Sequence, residues 1–405
     1  YSTLGIEQMA VLDDGSAYGE GLVNLLVASY EELGGEIVAR DAVNVGDTDF
    51  RALLEDIASS EPQLVYFGGF NAEGARLVEQ RADVGLEDVP FMGADGIWGP
   101  ELIELAGEAA EGVYASAPQP YSSDAVDAFV ERYTETYGEE PASPFNTNSY
   151  DATMMLMDGI EAVGTVDDDG NLMVDRGALQ AYIREVSMDG LSGPITCDGT
   201  GECATTEVQF YQVIDGEYTL LDADGQAAAA EEEAPAEEEA AAEEEAAVEE
   251  EAAEEAAAAD ESAAVMIAAG EALKLGYSGA LTGEGVSAFG IDIQRGIELA
   301  LEDRSSVMVG DAEFAVELDA QDSLCSPEGG QTVANRFVSD ESVVAVVGPM
   351  CSSACESAGP IYDEAGFTTI SPSCTAANLT DGRFASFNRS VPSDAAQGTV
   401  AAEFI

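Results

Sequence analysis

The sequence predicts an α/β protein made of two doubly wound parallel-sheet lobes joined by crossover strands. Short apolar runs such as Gln8–Leu12 alternate with helical segments of about ten residues or more, such as Tyr18–Leu33. This alternation is typical of parallel strands with helices packed on both faces of a sheet. The chain has 405 residues and is 46% hydrophobic, so it holds enough apolar material for a sizeable core.

The first 222 residues contain a regular series of elements. Strands are predicted at Gln8–Leu12, Ile37–Val43, Leu64–Phe67 and Pro90–Met92. Helices are predicted at Tyr18–Leu33, Phe50–Ser59, Ala72–Val84, Ala125–Tyr137 and Asn148–Ala162. The extended, proline-bearing segment Tyr114–Pro120 predicts a crossover between lobes. Gly193–Tyr211 predicts the last crossover, and Gln209–Ile214 with Tyr218–Leu221 predicts a closing hairpin.

The charge of the chain is extreme. The formal net charge is −68, histidine is absent, and Lys274 is the only lysine. Folded domains this acidic repel themselves unless salt screens them, because the Debye length shrinks from ~10 Å at 0.1 M to ~3 Å at 1 M ionic strength. The composition therefore predicts a halophilic source and excludes nucleic acid as a partner.

Two neighbouring strand ends carry the polar groups that point to a binding site. The buried run Val343–Val347 ends at Gly348-Pro349, and Cys351-Ser352-Ser353 then open a helix. The free N–H groups and hydroxyls at a helix start form a cradle for an anion. A second strand, Phe367–Ser371, leads into Pro372-Ser373-Cys374-Thr375 at the same edge. The alternative interpretation is that Ser352 and Ser353 only cap the helix.

These motifs resemble those of a known family. The stretch VVGPMCSSACESAGPIYDEAGFTTISPSCTAANLT is similar to the first lobe of type I periplasmic solute-binding proteins, specifically the branched-chain amino-acid binding family of ABC importers. Leu273–Asp303 resembles the opening segment of that lobe. The resemblance implies a cofactor-free, extracytoplasmic binding protein, which we expect to be monomeric, that closes on an aliphatic amino acid and docks on a membrane permease.

The resemblance also assigns roles to polar residues. Ser352 and Thr375, with neighbouring backbone N–H groups, match the carboxylate binders of the family, and Ser353 adds a hydroxyl beside them. Ser373 falls where a backbone carbonyl faces the ammonium. Asp95 matches the acidic residue that faces the ammonium, although many relatives have the longer Glu there. The alternative for Asp95 is a helix-cap or turn residue.

Four aromatic residues match positions around the ligand. Tyr18 matches an aromatic that closes over it, and three residues match the wall of the side-chain pocket: Phe70, Phe289 and Tyr150. Each could instead be core packing. Phe289 and Phe70 stand where relatives often have Trp and Tyr, so the preferred ligand side chain stays open.

Six cysteines allow 15 pairings. The Cys325–Cys351 pair matches a disulfide position of the family. We further predict Cys197–Cys203, across a Gly-rich turn, and Cys355–Cys374, which together indicate an oxidising compartment. The alternative, a thiolate metal site of Cys351, Cys355 and Cys374, lacks a fourth ligand.

The segments appear in an unusual order. Reading Ile405 on into Tyr1 joins a helix, a turn and a strand as in the family, so the chain is either a circular permutant or a window across tandem copies. We expect residues 1–222 to be the C-terminal half of the binding domain. Within it, 6–116 form most of lobe 2, 120–193 complete lobe 1, and 194–222 form the last crossover and the closing hairpin. We expect 227–264 to be an acidic linker and 271–405 to be the N-terminal half, in lobe 1.

The acidic linker consists almost wholly of Ala and Glu. Its six-residue period leaves no lasting apolar stripe on a helix, and like charges four residues apart repel. We expect a disordered or partly helical tether, which could link the protein to the membrane. No signal peptide, lipid-anchor box or long apolar span is visible in the sequence.

Other function classes are weaker. Catalysis is disfavoured because histidine and a P-loop are absent. The calcium-loop-like Asp167–Asn171 places Arg176 at the final ligand position, which favours a solvated turn. The rivals left open are a ligand-sensing receptor domain on the same fold, binding of a small amide or urea, and a surface-array protein.

Overall fold

The structure is a computed structural model, and it describes residues 3–204, 207–222, 225–228 and 264–405. The predicted linker lies almost wholly outside the described residues. The remaining residues form two α/β lobes around separate parallel sheets. Within the described part of the chain, no helix combines the length and apolar character needed to span a membrane.

The strands and helices alternate through most of the chain. The strands are β1 (Gln8–Asp13), β2 (Glu36–Ala42), β3 (Leu64–Gly68), β4 (Phe91–Gly93), β5 (Tyr114–Pro118), β6 (Thr165–Val166), β7 (Leu172–Asp175), β8 (Ser187–Gly190), β9 (Gly193–Thr196), β10 (Val208–Ile214), β11 (Glu217–Leu220), β12 (Ala264–Ile267), β13 (Leu273–Gly279), β14 (Ser306–Val309), β15 (Ala312–Asp322), β16 (Val343–Val347), β17 (Thr369–Ser371) and β18 (Phe387–Arg389). The α-helices are α1 (Ala17–Glu32), α2 (Arg51–Ala58), α3 (Asn71–Gln80), α4 (Pro100–Ala106), α5 (Asp124–Tyr137), α6 (Phe145–Val163), α7 (Arg176–Ile183), α8 (Ser287–Asp303), α9 (Pro327–Ser339), α10 (Ser352–Ala365) and α11 (Asp394–Phe404).

Lobe 2 is built on a seven-stranded sheet of order β11-β10-β5-β4-β3-β1-β2. Strands β1 to β5 run parallel, and the β10–β11 hairpin adds antiparallel to β5. The segment predicted as a crossover, Tyr114–Pro120, is therefore mostly a sheet strand. Its Tyr114 and Ala115 pair with β4, and the whole strand pairs with β10. The two prolines do not prevent this pairing, because Pro118 is the last residue of the strand and Pro120 lies beyond it.

Lobe 1 is built on a six-stranded sheet of order β14-β15-β13-β16-β17-β18, in which only the edge strand β14 runs antiparallel to its neighbour. Helix α6, from before the acidic segment, packs on α8, from after it. Gly296 permits this contact, since a Cβ there would lie 2.2 Å from the Asn146 carbonyl oxygen. Strand β12 likewise pairs with β7. Segments distant in sequence thus build one lobe.

The last helix belongs to the other lobe from the one expected. We predicted that residues 271–405 lie in lobe 1, but α11 packs on α1 of lobe 2. Its Phe404 joins the core cluster that holds Met9 and Val11. The Phe404 carbonyl also accepts hydrogen bonds from the N–H groups of Thr3 and Leu4, at 2.9 and 3.1 Å. The apolar face of α11 is buried by these lobe 2 partners.

Three disulfides join the predicted cysteine pairs. Cys197–Cys203 closes a hairpin of lobe 1, while Cys325–Cys351 and Cys355–Cys374 tie the loops that follow β15 and β17 to the start of α10. The Asp167–Asn171 segment is the tight turn between β6 and β7, in which the Asp167 carboxylate accepts the backbone N–H groups of Asp169 and Asn171.

Candidate ligand-binding site

Lobe 1 contributes two polar arms at one edge of its sheet. Strands β16 and β17 run parallel and adjacent, so both end at the same edge. Helix α10 follows β16, with Cys351 as its N-cap and Cys355 donating the first bond of the helix, to the Cys351 carbonyl. The N–H groups of the preceding turn have no partner within the helix. Ser352, in that turn, is buried.

The loop after β17 is the second arm. Its Ser373 hydroxyl donates to the Met350 carbonyl at 2.8 Å, and its Ala376 N–H donates to the Ser352 hydroxyl at 3.3 Å. The Thr375 hydroxyl is buried next to the carboxyl group of Asp394. The two arms are therefore in direct contact.

Lobe 2 contributes a buried carboxylate. Asp95 follows β4, and its Oδ1 accepts hydrogen bonds from the Tyr18 hydroxyl at 3.0 Å and the Gln397 amide at 2.7 Å. The Tyr18 hydroxyl in turn accepts the Gly96 N–H at 3.0 Å. The Tyr18 ring packs on Phe70, with centroids 5.3 Å apart. Tyr18 thus positions Asp95 and also lies over the cleft.

Burial controls the ionisation of these groups. Removal from water raises the pKa of Asp95, and the hydrogen bonds from Gln397 and Tyr18 oppose that rise. Burial, reinforced by the Asp95 charge, raises the pKa of Tyr18 well above its usual value. The Tyr18 hydroxyl therefore keeps its proton and acts as a donor to Asp95.

A single cleft between the lobes brings these residues together. The residues that line it come from both lobes: Tyr18, Phe70, Asp95, Gly96, Phe145, Phe289, Met350, Cys351, Ser352 and Ser373. One part of the wall is aromatic, where Phe145 and Phe289 meet edge to face at 6.3 Å. The cleft thus combines hydrogen-bond donors at the start of α10, the Asp95 carboxylate as an acceptor, and an apolar wall.

The structure brings most of the predicted site residues to this cleft. Six of them line it: Tyr18, Phe70, Asp95, Phe289, Ser352 and Ser373. Thr375 is buried in the adjacent loop. Ser353 has a different contact, since its hydroxyl accepts the Ala17 N–H at 3.0 Å and so joins the two lobes.

Tyr150 does not belong to the cleft wall, contrary to the prediction. Its ring packs on Phe129 at 5.6 Å, and its hydroxyl donates to Asp303 at 3.0 Å. Phe145 lines the cleft instead. The two residues are five positions apart on α6 and hence about 140° apart around the helix, which places them on different faces.

Asp394 is a buried carboxyl group near Asp95 that the sequence did not point to. It lies in the first turn of α11 on the same face as Gln397, which bonds Asp95. Asp394 is completely buried, and its carboxyl group lies beside the Thr375 hydroxyl. Burial and the nearby Asp95 charge raise the pKa of Asp394 well above its usual value, and the hydrogen bond from Thr375 opposes this rise. The only local signal is Ser393-Asp394, a helix-capping sequence whose Ser393 caps α11.

Comparison with known proteins shows which family the chain belongs to. The sequence profile described as "Periplasmic binding protein" matches residues 1–217, more than half of the chain. The chain belongs to the periplasmic binding protein family. A second profile, described as "Receptor family ligand binding region", matches residues 293–405.

Several periplasmic binding proteins are similar to part of the chain. The leucine-, isoleucine-, valine-, threonine- and alanine-binding protein of Pseudomonas aeruginosa is 33% identical over 164 residues, covering 39% of this chain and 42% of the relative. The Leu/Ile/Val-binding protein of Escherichia coli K12 is 26% identical over 196 residues, covering 48% and 50%. The chain thus spans about half the length of the curated relatives it matches.

Solved structures of periplasmic binding proteins match to a similar extent. The leucine binding protein LivK of Thermotoga maritima is 33% identical, with a TM-score of 0.48, and the match covers 55% of this chain and 61% of LivK. LivJ of Streptococcus pneumoniae, solved in complex with isoleucine, is 23% identical, with a TM-score of 0.44 and coverage of 54% and 61%.

Proposed function

We propose that this protein is an extracytoplasmic solute-binding protein of an ABC importer, which binds a free aliphatic amino acid between two closing lobes. The observation that carries the proposal is the shared cleft, where Ser352 and the start of α10 from lobe 1 face the same space as Asp95 from lobe 2. The names of the relatives, which are binding proteins for leucine, isoleucine and valine, support this ligand class.

The ammonium of the ligand supplies a positive charge at the acidic end of the site. Asp95 and Asp394 are both buried, and Asp95 lies close enough to Asp394 to raise its pKa. Leaving buried carboxylates unpaired costs several kcal/mol. An ammonium group, with three N–H donors and a positive charge, relieves the repulsion between these two carboxyl groups.

The carboxylate of the ligand is received at the start of α10. The unpaired N–H groups of its first turn and the positive end of the helix dipole favour an anion there. Ser352 adds a hydroxyl, as the resemblance implied. The aromatic wall of Phe70, Phe145 and Phe289 is suited to an apolar side chain.

The remaining parts of the proposal concern the surroundings of the protein. Three disulfides favour an oxidising, extracytoplasmic compartment. The partner of the closed form is a membrane permease, the binding protein is a monomer, and the acidic segment tethers it to the membrane. Docking of the ligand-bound protein on its permease, measured in membrane vesicles, distinguishes this function from a sensory one.

A ligand-sensing receptor domain is the second candidate. The profile described as "Receptor family ligand binding region" favours it, because it covers α10 and both polar arms of lobe 1. Such a domain would bind the same class of ligand but would not dock on a permease. A small amide or urea is the alternative ligand, and it would leave the acidic end of the site without a cation.

A thermal-shift screen at high salt tests the ligand class. The compounds are the twenty amino acids, urea and small amides, and a ligand at 100 times its Kd adds about 2.7 kcal/mol of stability. We expect a response to aliphatic amino acids. A response confined to urea or amides, or no response at all, would refute the proposal.

Three single variants, with binding measured by calorimetry, test whether the ligand binds in this cleft. Tyr18→Phe removes the hydroxyl that donates to Asp95, and Asp95→Ala removes the carboxylate, so both should weaken binding while circular dichroism stays unchanged. Tyr150→Phe removes a hydroxyl outside the cleft and should bind with wild-type affinity. Equal affinities for all variants would move the site elsewhere.

A further inference from the structure

The loop Ser373–Ala376, here called the ligand loop, is fixed from two sides. It has no regular secondary structure between β17 and the short turn that starts at Ala377. It nevertheless carries Ser373, which lines the cleft, and the buried hydroxyl of Thr375. A loop of this kind holds one position only through the contacts that its own residues make.

A disulfide fixes the ligand loop to the helix that carries the other polar arm. Cys374, between Ser373 and Thr375, is bonded to Cys355 of α10, and both cysteines are buried. Cys355 lies three residues after Ser352, so it belongs to the same end of the helix. The covalent bond therefore joins the two arms of the anion-binding end directly.

A buried arginine fixes the backbone of the same loop. The Arg389 guanidinium is completely buried and donates to the carbonyl oxygens of Cys374, Thr375 and Ala376, at 3.3, 2.9 and 2.9 Å. Its Nε donates to the Glu202 carboxylate at 2.8 Å. Glu202 adjoins the Cys197–Cys203 disulfide, so the last segment of lobe 1 also supports the loop.

We propose that the Cys355–Cys374 disulfide and the Arg389–Glu202 pair are positioning elements that hold the ligand loop in register with α10, and so determine how well the site recognises a carboxylate. The inference rests on the proposed function. A loop that is already ordered loses little conformational freedom when the ligand binds, whereas a loosened loop must be ordered by the ligand itself. The other contacts of the loop are single hydrogen bonds, such as those from Ser373 to Met350 and from Ala376 to Ser352, and each contributes less than a covalent bond or a buried ion pair.

The test uses the full chain in 2 M NaCl and compares L-leucine with L-leucinamide, which lacks the carboxylate. In the double variant Cys355→Ala with Cys374→Ala, we expect the Kd for L-leucine to rise about tenfold, with a much smaller change for L-leucinamide. The ratio of the Kd for L-leucinamide to the Kd for L-leucine, here called the preference, therefore falls. Glu202→Gln keeps the size of the side chain but removes the charge opposite Arg389. This variant should also lower the preference for L-leucine over L-leucinamide.

Leu54→Ala is the matched control, because Leu54 is buried in the core of lobe 2, away from the cleft. It lowers the melting temperature but should leave the preference unchanged. An unchanged preference in the double variant would overturn the inference, and so would equal losses for both ligands. If the double variant does not fold, Glu202→Gln decides by the same criterion. Failure of the wild-type protein to bind any amino acid would instead refute the proposed function.

Discussion

Asp14 shows how a single buried carboxyl group can make stability depend on pH. It follows β1 at the edge of lobe 2, and its Oδ1 accepts the Ser16 N–H at 2.9 Å, while its Oδ2 is buried without a partner. Burial raises the pKa of Asp14 from 3.8 to about 6. The hydrogen bonds from Ser16 oppose this shift, and the charges of Glu73 and Asp13 add to it.

The raised pKa of Asp14 predicts the sign of a pH effect. The folded protein favours the protonated form, so the stability from this group is fully present below pH 3.8 and is lost as the pH rises through about 6. Asp14→Asn should therefore raise the free energy of unfolding by about 1 to 2 kcal/mol at pH 7 and flatten its decline between pH 4 and 7. Denaturant unfolding across this range measures the effect. A variant less stable than wild type at pH 7 would contradict it.

Individual residues of the site differ in how well the sequence predicts them. Four residues of the cleft lie in short motifs next to strand or helix ends, where the place of a residue in the chain determines where its side chain points. They are Ser352, Ser373, Asp95 and Tyr18. Tyr150 lies inside a helix, and its direction depends on which face packs on the lobe. Asp394 was missed for the same reason, since only the packing of α11 brings it near Asp95.

The contact between α6 and α8 tests whether elements on either side of the acidic segment form one lobe. Gly296→Ala would place a Cβ 2.2 Å from the Asn146 carbonyl oxygen, so we expect a loss of about 2 to 4 kcal/mol in the free energy of unfolding. Gly21→Ala is the control, because Gly21 lies in α1 with no atom within 4 Å of the added Cβ. It should stabilise by about 0.5 to 1 kcal/mol. Equal effects in thermal unfolding would argue against this packing.

The loop before α8 tests the closed arrangement of the lobes. Gly285 donates its N–H to Glu101 of lobe 2 at 3.0 Å, and a Cβ there would lie 2.4 Å from the Ala72 nitrogen. Gly285→Ala should therefore hinder closure and weaken ligand binding in calorimetry about tenfold.

Gly283→Ala in the same loop separates closure from backbone strain. Both glycines have positive φ, but the added Cβ of residue 283 meets only Val286 of its own loop, at 3.4 Å. This variant should keep an affinity near that of wild type. Comparable losses in the two variants would show that strain, not contact between lobes, is responsible.

For the whole molecule, charge is the dominant property. With a net charge of −68, repulsion among surface carboxylates opposes folding, and salt relieves it. We expect the melting temperature to rise from 0.1 to 2 M NaCl and to rise similarly in KCl, since screening does not depend on the cation. A melting temperature that is flat or falling over this range would count against adaptation to high salt.

The sequence predicts the two lobes, but it does not predict the lobe to which every helix belongs. Strands β16 and β17 and the loops that follow them are local in sequence, and the structure has them where the motifs predicted strands. The assignment of α11 to lobe 2 depends on contacts with α1 and the start of the chain, which no local pattern encodes. The permuted order of segments stays a prediction.

Recognition of both ends of an amino acid is the central claim, and one calorimetric series tests it. Wild-type protein in 2 M NaCl is titrated with L-leucine, with 4-methyl-2-hydroxypentanoate, which lacks the ammonium, and with L-leucinamide, which lacks the carboxylate. We predict that L-leucine binds at least about 100-fold more tightly than either analogue, because each analogue leaves buried polar groups unpaired. Binding of an analogue as tight as that of L-leucine would contradict the account.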